Sequence, residues 1–213
     1  MSILETQIAA VLGPGMVMPE PLRQLFEWIE LQGFGDCLFS RGEVGRGRTE
    51  AERSGGTDIS FLAEGSAYIG NWLGNDDPKV ASRVCVFAKT GGDGSMGAFW
   101  LDDQGRQRIV HLGSGSGSCL TCVLADDPVD FLRLLAIGYD EICWSEHFDA
   151  PPNEGLAEGE ILVHPNLPYR RWVEETFGVG IPRTASEIVK HPASMDDDES
   201  PDPFWRWVTE NRG

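Results

Sequence analysis

The sequence predicts an α+β fold in which a twisted, mostly antiparallel sheet is flanked by helices, with a helical extension on its C-terminal side. Three observations carry this. Runs rich in β-branched and aromatic residues follow one another at Val84 to Ala88, Met96 to Leu101 and Arg108 to Leu112. Between them stand Thr90-Gly91-Gly92-Asp93-Gly94 and Asp102-Asp103-Gln104-Gly105, compositions that make hairpin turns, so the strands pair as a meander. Helix signals lie on both sides of this block, and 213 residues at 41% hydrophobic content suffice for a core without staples.

In chain order, residues 3–12 have the spacing of a short amphipathic helix, stopped by Gly13-Pro14-Gly15. Pro19-Glu20-Pro21 supplies proline and acid to the start of a second helix; Leu22, Leu25, Phe26 and Ile29 recur at helical spacing, and Gly33 lies just past its end. Residues 34–80 are glycine-rich, with short apolar pieces at Cys37-Leu38-Phe39 and Ile59-Ser60-Phe61-Leu62, and receive no assignment. Cys119 to Ala125 reads as a fourth strand. Asp126-Asp127-Pro128 then gives cap, acid and first-turn proline to a helix through Phe131, Leu132, Leu134, Leu135 and Ile137, which Gly138 ends.

Pro151-Pro152-Asn153-Glu154-Gly155 reads as a turn or linker. Residues 1–150 are therefore expected to form the main α+β domain, and 151–213 an acidic, partly helical extension packed on it. Helices are predicted at Tyr169 to Phe177 and Thr184 to Lys190, and a solvated, mobile loop at Asp196-Asp197-Asp198-Glu199. The dense aromatic run Phe204-Trp205-Arg206-Trp207-Val208 is expected to dock on the parent domain rather than wait for a ligand. The chain contains no internal repeat.

Charge narrows the function classes. Seventeen basic against 34 acidic side chains leave a formal net charge of -17, with residues 140–213 carrying sixteen acids and six bases. Such a field repels nucleic acid and anionic membrane and attracts cationic partners, raising association rates by roughly 10 to 1,000-fold at low salt. Five cysteines, an odd number in mostly apolar surroundings, fit buried reduced thiols better than a disulfide framework. The sequence has neither the pattern of a secretory leader nor an apolar run of spanning length, so the expectation is a cytoplasmic protein.

The motif that most invites a chemical reading is Val110-His-Leu-Gly-Ser-Gly-Ser-Gly-Ser-Cys-Leu-Thr-Cys-Val123. A phosphate loop needs a lysine after its glycines, and a dinucleotide fingerprint needs a helix there; neither follows. Cys119 and Cys122 lack two further ligands for zinc, and residues three apart on a strand point to opposite faces. Ser114 or Ser116 can be grouped with His111 and Asp93 as a nucleophilic set, but without the strand–turn–helix setting of a nucleophile elbow. The reading therefore assigns no catalytic residue, no metal site and no cofactor. The glycine loop is left as a connector whose small side chains keep backbone groups open at the sheet's rim, where a bulky residue at Gly115 is expected to be tolerated.

The block Val86-Phe-Ala-Lys-Thr-Gly-Gly-Asp-Gly-Ser95, Ala98-Phe-Trp-Leu-Asp102, Ile109-Val-His-Leu-Gly-Ser114, Val123-Leu-Ala-Asp126 and Asp130-Phe-Leu-Arg-Leu-Leu135-Ala-Ile-Gly-Tyr-Asp-Glu-Ile142 resembles the SUKH superfamily over about residues 16–145. The likeness lies in a glycine-bearing turn, an aromatic strand, a strand running into a small-residue loop, and a strand passing through an acidic cap into a Phe-Leu helix. It implies a non-enzymatic α+β domain. Bacterial members look like immunity proteins encoded beside polymorphic toxins, which they bind and block.

The expectation is thus a cytoplasmic immunity protein that neutralises one cognate, nucleic-acid-targeting and basic toxin, binding neither nucleic acid nor membrane. Candidate partner-binding residues are Asp93, Trp100, Asp102, Asp103, Glu146 and Asp149, with turn roles for the aspartates and a core role for Trp100 as the competing readings. A regulatory adaptor of the same fold, and more remotely a serine hydrolase, are the alternative functions. Oligomeric state is not legible.

Overall fold

The computed structural model describes residues 1–38, 56–154 and 162–213. Phe39 and Gly155 of the segments named above lie outside the described residues. Helices α1 (Ile3–Ala9) and α2 (Glu20–Gln32) lead into strand β1 (Ser60–Gly65) and short helices α3 (Ile69–Leu73) and α4 (Pro78–Ala81). Strands β2 (Val84–Lys89), β3 (Met96–Leu101), β4 (Gln107–Leu112) and β5 (Thr121–Ala125) follow, and then α5 (Pro128–Ile137), α6 (Leu167–Phe177) and α7 (Pro203–Asn211). The five strands form one sheet in chain order, every neighbour antiparallel.

Both faces of the sheet are buried, which is why its strands read as near-continuous apolar runs instead of alternating ones. Cys85, Phe87, Phe99, Ile109, Cys122 and Leu124 face a core shared with α1, α2, α5 and α6. Val84, Val86, Met96, Ala98, Trp100, Val110 and Leu112 face a second core under α3 and α7. Between Val86 and Ala88 the register of β2 shifts by one residue, so Phe87 and Ala88 both enter the first core and Lys89 emerges to solvent.

Local signals explain the well-marked helices. Asp127 caps α5 through Val129 N–H at 2.7 Å, proline follows, and Gly138 closes the helix with a φ of 96°. Gly33 closes α2 in the same way, with a φ of 71°. Between Thr184 and Lys190 only one 3₁₀ turn forms, Ala185–Glu187, because Pro182 precedes it and the backbone is diverted to pair Ser186 N–H with Phe148 O at 3.0 Å. The acidic stretch 196–199 begins in a turn over Ser194–Asp197, closed by Asp197 N–H on Ser194 O at 3.1 Å and by Ser194 N–H donating to the Asp197 carboxylate at 2.7 Å, and Asp196 to Glu199 are exposed.

The turn preceding 196–199 covers an edge. Thr121 N–H bonds Ala193 O at 2.7 Å and Met195 N–H bonds Cys119 O at 2.8 Å, so the outer side of β5 is paired. Further along, Val123 N–H donates to Asp202 at 3.0 Å, and the same carboxylate caps α7 through Phe204 and Trp205 N–H. Burial pushes the Asp202 carboxyl up against these bonds. Phe204 and Trp207 lie against Trp100 with ring centroids 5.3 and 5.8 Å away. Among the described residues no helix is long and apolar enough to cross a membrane.

Candidate functional site

Successive turns of a meander alternate ends, so the β2–β3 turn and the β4–β5 loop share one end of the sheet. Asp93 joins them. Its Oδ1 accepts Ser95 N–H at 3.0 Å; its Oδ2 accepts Ser95 Oγ–H at 2.8 Å, Ser114 Oγ–H at 2.8 Å and Ser118 N–H at 2.7 Å. Partial burial raises the carboxyl, but these four donors outweigh it and hold the pKa down at about 2.

The glycines are what let the loop close on this carboxylate. A Cβ on Gly117 would stand 2.7 Å from Asp93 Cβ, and one on Gly113 would stand 2.6 Å from Ser118 O. Gly115 has open space but a φ of +73°, a conformation that costs an L-residue about 1–2 kcal/mol. The expectation of a permissive connector is corrected at this point: the loop is a folded turn around an anion, and Gly115 is not freely substitutable.

Beneath it His111 is fully buried. Its Nδ1 lies 2.8 Å from Leu120 O, which can only accept, so Nδ1 carries the proton and Nε2 accepts from Thr90 Oγ1–H at 2.9 Å. Desolvation, against the bond to Leu120 and the nearby Asp93 charge, lowers its pKa to about 4. With both ring nitrogens engaged, the grouping of Ser114 or Ser116 with His111 and Asp93 does not assemble as a serine–histidine pair. Cys122 is buried while Cys119 is half-buried beside Asp196, and burial raises both thiols. Among the described residues no three His, Cys, Asp or Glu side chains are placed to hold a metal ion.

An open cleft of about 330 Å³ adjoins this loop end, lined by Glu64, Tyr68, Trp72, Lys89, Asp93 and Met96 together with Ser114 and Ser116. Trp72 Nε1–H donates to Gly113 O at 2.8 Å, which fixes its ring against the loop. Glu141 bounds the same end: its carboxylate accepts Gly92 N–H and Trp144 Nε1–H, each at 2.6 Å. Asp196 approaches Cys119 from the other side.

The six residues singled out from sequence fall in different places. Asp93 is half-buried and organises the loop end. Trp100 is 3% exposed beneath α7 and cannot reach a partner unless that helix leaves, so it is a core residue and not an anchor. Asp102 also points inward: it accepts Gln104 and Arg106 N–H at 2.9 Å each, closing the β3–β4 turn, and these bonds with the Arg106 side chain depress its carboxyl despite burial. Neither is available as a surface contact. Asp103 is exposed at that same far end of the sheet, paired with Arg83 at 2.6 Å. Glu146 and Asp149 are exposed, Glu146 in the 3₁₀ turn Ser145–His147 and Asp149 just after it. The structure thus does not bring the six together.

Sequence reasoning missed Glu64, Tyr68, Trp72, Lys89 and Glu141. The first three sit in the unassigned 34–80 region; the Tyr68–Trp72 spacing of one helical turn was the available signal. Compared with family models, curated proteins and solved structures, the chain finds no match.

Proposed function

We propose that this chain is an immunity protein of the SUKH type, which binds and neutralises a cognate polymorphic toxin through a basic surface of that toxin, in the cytoplasm and without a cofactor. The observation that carries the reading is unbalanced acidity at the loop end. The formal charge is -17, and Glu64 in the cleft and Asp196 beside Cys119 are exposed carboxylates with no ion pair among the described residues; exposed Asp198 and Glu199 follow Asp196 in the chain. Toxins acting on nucleic acid carry basic surfaces for phosphate. An acidic face both steers onto such a surface and covers it. The resemblance to SUKH proteins over residues 16–145 points the same way, and the α+β meander flanked by helices accords with it.

Neutralisation at nanomolar affinity, about -12 kcal/mol, asks for an interface of roughly 1,600 Å² with a few strong anchors. Exposed Asp103, Glu146 and Asp149 remain candidates beside the loop end. The test is co-expression: the adjacent open reading frame is expressed with and without this protein, and the pair is pulled down. Rescue of growth with a one-to-one complex is expected; neither toxicity nor binding would sink the proposal. Capture of a non-toxic host protein would favour the adaptor reading. Affinity should fall at least tenfold between roughly 50 and 500 mM salt.

A further inference from the structure

We infer that the cleft at the loop end seats one arginine side chain of the basic partner; this rests on the proposed function above. Its walls are preorganised for a guanidinium. Tyr68 is 44% exposed and stands one helical turn from Trp72, whose ring is locked by its bond to Gly113 O. A planar cation is attracted to such aromatic faces, arginine more often than lysine.

The carboxylates supply the charge. Glu64 is exposed and has no ion pair among the described residues, and Asp93 stays ionised with Oδ2 saturated by three donors while Oδ1 takes only one. Lys89, exposed and without an ion pair among the described residues, offsets one of the two negative charges, leaving a single charge for the ligand to neutralise and disfavouring a second cation. One cation against two carboxylates also argues against a phosphate. Met96 gives the arginine's methylenes an apolar surface. The cleft, open and of about 330 Å³, has room for one long side chain and no folded element.

The test uses the full ¹⁵N-labelled chain titrated with N-acetyl-arginine amide, with N-acetyl-norleucine amide and sodium chloride at matched ionic strength as comparisons. The Trp72 indole N–H signal, assigned by its loss in Trp72→Phe, should shift saturably with the arginine probe alone. Tyr68→Ala and Glu64→Gln should each weaken the probe at least fivefold, whereas Glu175→Gln, exposed on α6, should not. Equal shifts with salt or norleucine, or variants that bind like the wild type, would overturn the inference. In the second arm Tyr68→Ala and Glu64→Gln are assayed against the toxin of the adjacent gene, where a tenfold loss of affinity is expected. Unchanged toxin binding overturns the arginine cleft and leaves immunity standing; probe binding that the variants abolish, with no toxin found, overturns immunity and leaves the cleft.

Discussion

Replacing Asp93 with alanine removes one acceptor and orphans four donors on two different turns. Partly exposed donors recover some water, so the expected cost is about 1–3 kcal/mol, seen as a lower melting temperature and faster hydrogen exchange at Ser118. Gly115→Ala should cost about 1 kcal/mol through its positive φ alone; thermal stability equal to wild type would refute the turn as described. His111 gives the fold its acid limit. The unfolded chain protonates this histidine near pH 6.5 and the folded chain only near 4, so between those values the unfolded state binds more protons. Stability is complete above about pH 6.5 and falls as pH drops toward 4, by on the order of 3 kcal/mol. Asp93 adds a further loss below about pH 4, as its carboxyl protonates toward 2. Urea midpoints against pH should trace this descent, and a His111→Asn variant should flatten its upper part.

At the scale of elements, α7 is a strap whose first turn is pinned by one carboxylate, that of Asp202. Asp202→Ala removes the helix cap, worth about 1 kcal/mol, and leaves Val123 N–H without a partner, worth about 1–3 more. Chemical denaturation should show a loss of about 2–4 kcal/mol, and Asp202→Asn a smaller one. Which elements were legible follows from where their signals lie. α2 and α5 carry proline at the start, glycine at the end and apolar spacing between, and their ends fall within two residues of the expected positions. β1, α3 and α4 were illegible because they are four to six residues long and embedded among glycines; α3 is a five-residue helix ended by Gly74 in the left-handed region. At the site, Asp93 stood out in sequence as a turn aspartate, but its donors Ser114 and Ser118 lie 21 and 25 positions away, and only strand pairing brings them to it. Trp100 misleads as an anchor because its cover, α7, is more than a hundred positions distant.

For the whole molecule, the net charge of -17 acts on two equilibria with opposite signs. Salt screens self-repulsion, so the melting temperature should rise between roughly 20 and 200 mM sodium chloride, while affinity for a basic partner falls over the same range. The strap also bears on the order in which the chain can fold during synthesis. Val123 and Asp202 are 79 positions apart, so at about 5–20 residues per second the ribosome needs on the order of 4–16 s to go from β5 to the residue that anchors α7. Throughout that interval Val84, Val86, Trp100 and Val110 are without their α7 cover. A nascent chain paused there presents an apolar sheet face to chaperones, and the fold closes only once Trp207 arrives.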